Sequence, residues 1–233
     1  RPAGVLRGWT STDGAEASSV FIGESRAMNG ETQDSLGTSA GASLQVRLLG
    51  APQITLDGEP LAGLSSAKAQ GLLFYLLLTG RMHTRAALAA LLWGDISDTA
   101  ARRNLRKVLQ ELREQVGAYL AIERDAVALQ EGADVWVDVV EFETILSESS
   151  APEAPARVQR ALDLYRGDFL EGFYVHDAPD FEAWWLSERT RLRELLLSGL
   201  HDLAAYRAES DELETAIALI RRLIRLEPWR EEA

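Results

Sequence analysis

Residues 68–116, KAQGLLFYLLLTGRMHTRAALAALLWGDISDTAARRNLRKVLQELREQV, hold three short helical patterns in a row, and the last has two unlike faces. Apolar residues recur at Ala101, Leu105, Val108, Leu112 and Val116, the spacing of a single helical stripe. At about 100° per residue the opposite side collects Arg103, Lys107 and Gln110, with Arg106 beside them. A helix that buries one side and offers arginine, lysine and glutamine on the other suits a DNA groove. The arginine fork matches guanine, the glutamine amide matches adenine, and lysine more often holds phosphate.

The flanking sequence supplies a fold for that helix. Leu44, Val46 and Leu48 alternate, and Ile54 and Leu56 alternate up to an Asp57–Gly58 turn, with Pro60–Leu61 leading out. This pattern predicts a small antiparallel sheet of short strands. Ser65 or Ser66 is placed to cap a first helix over about Lys68–Thr79, ended by Gly80. Thr84 is placed to cap a second over about Arg85–Trp93, and Asp98 or Thr99 a third that Gly117 ends. Leu120 and Ile122 then alternate, Arg124–Asp125 makes a turn, and Val127 and Leu129 alternate back as a β-hairpin. Strands, three helices and a hairpin in this order describe a winged helix with an extra N-terminal sheet. Lys68 and Arg85, each in the first turn of its helix, are candidates for phosphate contact, as is Arg81. His83 reads as a surface histidine.

Beyond Asp138 the pattern becomes all-helical. Helices are expected at about 139–146, 156–165, 179–207 and 211–226, with a loose linker over 149–155. The last places Ala216, Leu219, Leu223 and Leu226 inward and has Pro228 just beyond its end. Helix pairs on short turns with a proline after the second helix suggest a tetratricopeptide-like array, whose last repeat reads as incomplete at Ala233. The domain plan is therefore a leader at 1–43, a winged helix at 44–138 and a helical domain at 139–233. The leader is rich in Ser, Thr, Gly, Ala and Glu without a sustained period, and is expected to be disordered. Residues 1–27 precede the first methionine, Met28, and carry no function in this reading.

Charge and composition narrow the chemistry. A net charge of −12 over 233 residues is ill suited to DNA until it is divided by region. Residues 44–138 hold 10 basic and 11 acidic side chains, whereas 139–233 hold 11 and 20. Within Asp98–Val116 the balance is reversed, 5 basic to 3 acidic. The acidic third should face away from DNA. There is no cysteine, the three histidines are scattered, and no metal site is expected. Paired carboxylates such as Glu231 and Glu232 have no His or Ser partner, and there is no glycine-rich phosphate loop. Neither an enzyme nor a cofactor is indicated. Trp136, Trp184, Trp185 and Trp229 read as packing residues of the fold rather than a ligand cage. The longest apolar run, Leu72–Leu78, is too short to span a membrane. With no targeting segment, a cytoplasmic location is expected.

These residues also resemble a known family. Leu44–Trp93 followed by Ala101-Arg-Arg-Asn-Leu-Arg-Lys-Val-Leu-Gln-Glu-Leu-Arg113 resembles the OmpR-type winged helix of SARP-type bacterial transcriptional regulators. Trp136-Val-Asp-Val-Val-Glu-Phe142, Tyr165-Arg-Gly-Asp-Phe-Leu-Glu-Gly172 and Glu182-Ala-Trp-Trp-Leu-Ser-Glu-Arg189 resemble the bacterial transcriptional activator domain that follows it in that family. The resemblance implies an activator that binds direct-repeat promoter sites on double-stranded DNA, often as a homodimer there, and contacts RNA polymerase. By position it makes Thr99 to Gln110 the recognition helix, which adds Thr99 and Arg102 to the DNA-contacting set. It makes the hairpin around Arg124 a wing in the minor groove, and the loop Gly94–Asp98 a segment that can touch polymerase. This wing departs from arginine- and lysine-rich ones, because Glu123 and Asp125 flank Arg124. The competing reading is an interaction scaffold whose helical array recruits partners and whose winged helix does not bind DNA.

Overall fold

A computed structural model describes residues 44–147 and 154–227. The chain opens with β1 (Leu44–Arg47) and β2 (Gln53–Leu56), paired antiparallel, and β2 turns into β3 (Glu59–Pro60). The expected Asp57–Gly58 turn joins them, with φ of 51° and 85°, the double positive φ that lets a two-residue turn follow strand twist. A fourth strand, absent from the sequence expectation, completes this sheet. It is β7 (Val135–Val137), which returns from beyond the hairpin and pairs parallel with β1.

The three helices fall close to their expected places. Helix α1 (Ala67–Thr79) is capped by Ser66, whose side chain accepts from Ala69 N, and closed by Gly80 in the left-handed region. Helix α2 (Arg85–Trp93) is capped by Thr84, which accepts from Ala87 N. Helix α3 (Asp98–Val116) has Ser97 rather than Asp98 or Thr99 at its cap position, with no side-chain cap bond. Asp98 lies in the first helical turn, where its charge favours the helix dipole. The wing is β5 (Leu120–Ile122) and β6 (Ala126–Leu129). A two-residue strand β4 (His83–Thr84) pairs with β6 and so ties the start of α2 to the wing.

The helical part comprises α4 (Asp138–Ser147), α5 (Ala154–Leu164), α6 (Pro179–Glu209) and α7 (Leu213–Leu226). Ala216, Leu219 and Leu223 of α7 face inward as expected, while Leu213, Ile217 and Ile224 are exposed. The leader and residues 149–153 of the expected linker lie outside the described residues, as does Trp229. The expected boundary at 138/139 falls where β7 runs into α4, and the apolar core continues across it. Helix α1 is apolar on most sides because it is surrounded. Its Gly71 lets Phe181 and Val175 come close, since a Cβ there would lie 3.1 and 3.2 Å from their side chains. Trp184 of α6 packs edge-on to Tyr75 of α1 at 4.9 Å and to Phe169 at 6.1 Å. The expectation that it serves packing holds.

Backbone bonds stitch the N-terminal sheet to the loop 165–172. Leu170 N donates to Leu48 O at 2.9 Å, Gly50 N to Asp168 O at 3.1 Å, and Glu171 N to Gly50 O at 3.0 Å. The approach needs glycine on both sides: Gly50 has φ 115°, and a Cβ on Gly167 would lie 3.2 Å from Gly50 Cα. The Asp138 carboxylate, 1% exposed, accepts from Leu48 N at 2.7 Å and Leu49 N at 3.1 Å. Burial raises its pKa, against the pull of these two bonds and of Arg166 at 3.7 Å.

Candidate nucleic-acid interface

Helix α3 is two-faced in the structure as in the sequence. Ala101, Leu105, Val108, Leu112 and Val116 are buried, joined by Leu109. Thr99, Arg102, Arg103, Arg106, Lys107 and Gln110 are exposed. Burying five or six aliphatic side chains at about 1.5–3 kcal/mol each anchors the helix, so its outer face is presented on a rigid support. The exposed residues form two adjacent stripes. Thr99, Arg103, Lys107 and Gln110 lie most directly opposite the core, while Arg102 and Arg106 lean toward α2 and the wing.

That lean closes a cleft of about 420 Å³ whose walls include Arg85, Arg102, Arg106, Arg124 and Asp125. Three elements converge there: the start of α2, the middle of α3 and the wing turn. Their spacing is set by backbone, because Arg85 N donates to Asp125 O at 2.9 Å. The Nε of Arg85 is buried and has no hydrogen-bond partner among the described residues. The N-terminal end of α2 adds its partial positive charge. Four guanidinium groups and a helix N-terminus around one cleft, with Asp125 the one acid in its wall, form a cradle for an oxyanion. No ion pair within the described residues engages Arg102, Arg103, Arg106, Lys107 or Arg124. Gln110 donates to Glu114 at 2.7 Å on the exposed side of the helix.

Two sequence expectations are corrected. Lys68 does not join this surface. Its ammonium donates to Leu92 O at 2.6 Å and Asp177 O at 3.0 Å and sits over the Trp93 ring. It ties α1 to the end of α2 and to the segment before α6, and burial lowers its pKa while Asp95 and Asp177 oppose the shift. His83 is not a surface residue but 6% exposed. Its Nε2 lies 2.7 Å from Thr79 Oγ1, whose own proton goes to Tyr75 O, so the ring donates. Burial first and Arg81 second lower the His83 pKa. Sequence reasoning missed both because a cation in a first helical turn and a lone histidine each look like solvent-facing groups.

Among the described residues no cluster of His, Cys, Asp or Glu could hold a metal ion, and no helix is long and apolar enough to cross a membrane. Residues 137–233 match the bacterial transcriptional activator domain family. The fold is similar to that of Mycobacterium tuberculosis EmbR, solved in complex with a low-affinity phosphopeptide, with a TM-score of 0.64 at 23% identity. The likeness covers 81% of this chain and 52% of the other, so the chain spans about half the length of that protein. No curated protein sequence matches it significantly.

Proposed function

We propose that the chain is a SARP-type bacterial transcriptional regulator that binds specific double-stranded DNA through α3, a reading supported by the activator-domain match over 137–233 and by the fold. The observation that carries this reading is the set of exposed cations on α3 and the wing that have no ion-pair partner among the described residues. With α3 in the major groove, Arg103 and Gln110 read base edges, with Thr99 at the leading end and Lys107 on phosphate. Arg106, which the sequence grouped with the base readers, instead joins Arg85, Arg102 and Arg124 in holding a backbone phosphate in the cleft. The wing turn then enters the adjacent minor groove.

The finer role is activation in the cytoplasm from direct-repeat promoter sites, with two copies side by side on DNA. The loop Gly94–Asp98 is the surface offered to RNA polymerase, and Ile96, 39% exposed, is its apolar contact. Selection of bound sequences from a random DNA pool tests the core of this reading. A recurring motif retained by the wild type and relaxed in Arg103→Ala supports it. Enrichment of no sequence, with binding abolished by moderate salt, would favour the scaffold reading instead.

A further inference from the structure

We propose that a second arginine cluster, at the seam between the N-terminal sheet and the helical part, is a binding site for a small oxyanion ligand bearing phosphoryl or carboxylate groups. A cavity of about 470 Å³ opens between the loop 165–172 and the C-terminal end of α7, within the size range of small-molecule sites. Arg166, Arg193, Arg222 and Arg225 line it, against Asp168 and Glu171. This concentration of guanidinium groups occurs in the most acidic third of the chain.

Two of the four are fixed by the fold. Arg193 donates to Asp168 at 3.1 Å and to Leu226 O at 2.6 Å, and Arg222 donates to Leu162 O at 2.8 Å and Tyr165 O at 3.0 Å. Their planes are therefore preorganised, which lowers the ordering cost of a ligand. The other two retain donors. Among the described residues, Arg225 makes no hydrogen bond or ion pair, and Arg166 reaches Gln53 at 3.5 Å and Asp138 at 3.7 Å and no other partner. Asp168 does not neutralise them, because its oxygens already receive Arg189, Arg193 and the Tyr165 hydroxyl. Burial, and then the neighbouring Arg225, disfavour the charge on Arg222 against the pull of Asp163, a cost that a bound anion relieves.

The site suits a small anion and not a nucleic acid strand, since the surrounding acidic surface repels a long polyanion. A ligand there also touches the loop that carries the Leu48, Gly50 and Asp168 backbone bonds, so binding would reinforce the seam.

Calorimetric titration of the full chain with pyrophosphate and, separately, with citrate tests the site at fixed salt. Beyond any binding in the cleft of α2, α3 and the wing, one further site per chain is expected for at least one of them, and the preferred probe identifies phosphoryl or carboxylate as the recognised group. Arg225→Ala should weaken binding about tenfold or more, the size of a lost charge-assisted contact, with no change in melting temperature. Glu171→Gln should tighten it by removing an acid from the cavity wall. Arg85→Ala with Arg106→Ala should leave it intact, which separates this cavity from the DNA face and from any failure of the DNA-binding reading. Binding of neither probe, binding that survives Arg225→Ala, or binding lost with Arg85 and Arg106 would overturn the proposal.

Discussion

The arginines of α3 and the wing and most of those along α6 have opposite surroundings. On α3 and the wing, Arg102, Arg103, Arg106 and Arg124 face solvent with no ion pair among the described residues. In the helical part, Arg189 and Arg193 converge on Asp168, Arg191 bridges Glu143 and Glu188, Arg207 meets Glu212, and Arg222 holds two backbone carbonyls. The same side chain serves two purposes. Where acids are abundant the guanidinium fork fastens one element to another. Where acids are sparse its charge stays exposed, which suits the phosphate-bearing partner proposed above. Net charge over the whole chain hides this division, because it averages a neutralised network with an unneutralised surface.

Substitutions should therefore separate stability from DNA recognition. The largest stability effect is expected at the seam, where Asp138→Ala strands the buried Leu48 and Leu49 N–H groups. At about 1–3 kcal/mol per buried unsatisfied group, a loss of roughly 3 kcal/mol is expected in urea unfolding. Arg193→Ala should follow at about 2 kcal/mol, from charge-assisted bonds to Asp168 and to the end of α7. A stability loss of that size from Arg103→Ala would break the comparison. That variant should instead unfold within about 0.5 kcal/mol of wild type while losing about 1–3 kcal/mol of discrimination between matched and mismatched DNA.

Lys107→Ala should be milder, weakening all sequences alike and flattening the salt slope by about one unit. The smallest effect is pH-dependent and belongs to His83. Its pKa is lowered below 6.5 in the fold, so the folded state takes up fewer protons than the unfolded chain as pH falls. The stability that neutral His83 contributes is present above about pH 6.5 and drains as pH falls through the folded value. Unfolding midpoints at about pH 7.5 and about pH 5.5 should differ less in His83→Gln than in wild type. An equal difference in both would assign the pH dependence to other groups.

Much of this division was legible in the sequence, for local reasons. The α3 stripe, the Thr84 cap, the Gly80 stop and the Asp57–Gly58 turn depend on residues a few positions apart, so periodicity and turn chemistry reveal them. Strands β4 and β7 were not legible, because two or three residues carry no period and exist by pairing with distant partners. Asp138 looked like an ordinary acid at a domain boundary. Its role depends on N–H groups about 90 residues away. The cleft was half legible: its place at the start of a helix suggested Arg85 and the family resemblance suggested Arg124, but the Arg85–Asp125 backbone bond that brings them together was not visible.

The parallel pairing of β1 with β7 also sets a timetable for synthesis. β1 and β2 can pair as soon as both have been made, yet the other edge of β1 has no neighbour until Val135–Val137 emerge about ninety residues later. Through that interval a strand made of Leu44, Val46 and their neighbours presents open N–H and C=O groups, a template for pairing with another nascent chain. A chain stopped at Asp134 should therefore aggregate even though its three helices and wing are complete, while one extended through α4 should stay dispersed. The strand that closes this edge, β7, runs straight into α4, so the sheet is completed only at the point where the helical part begins.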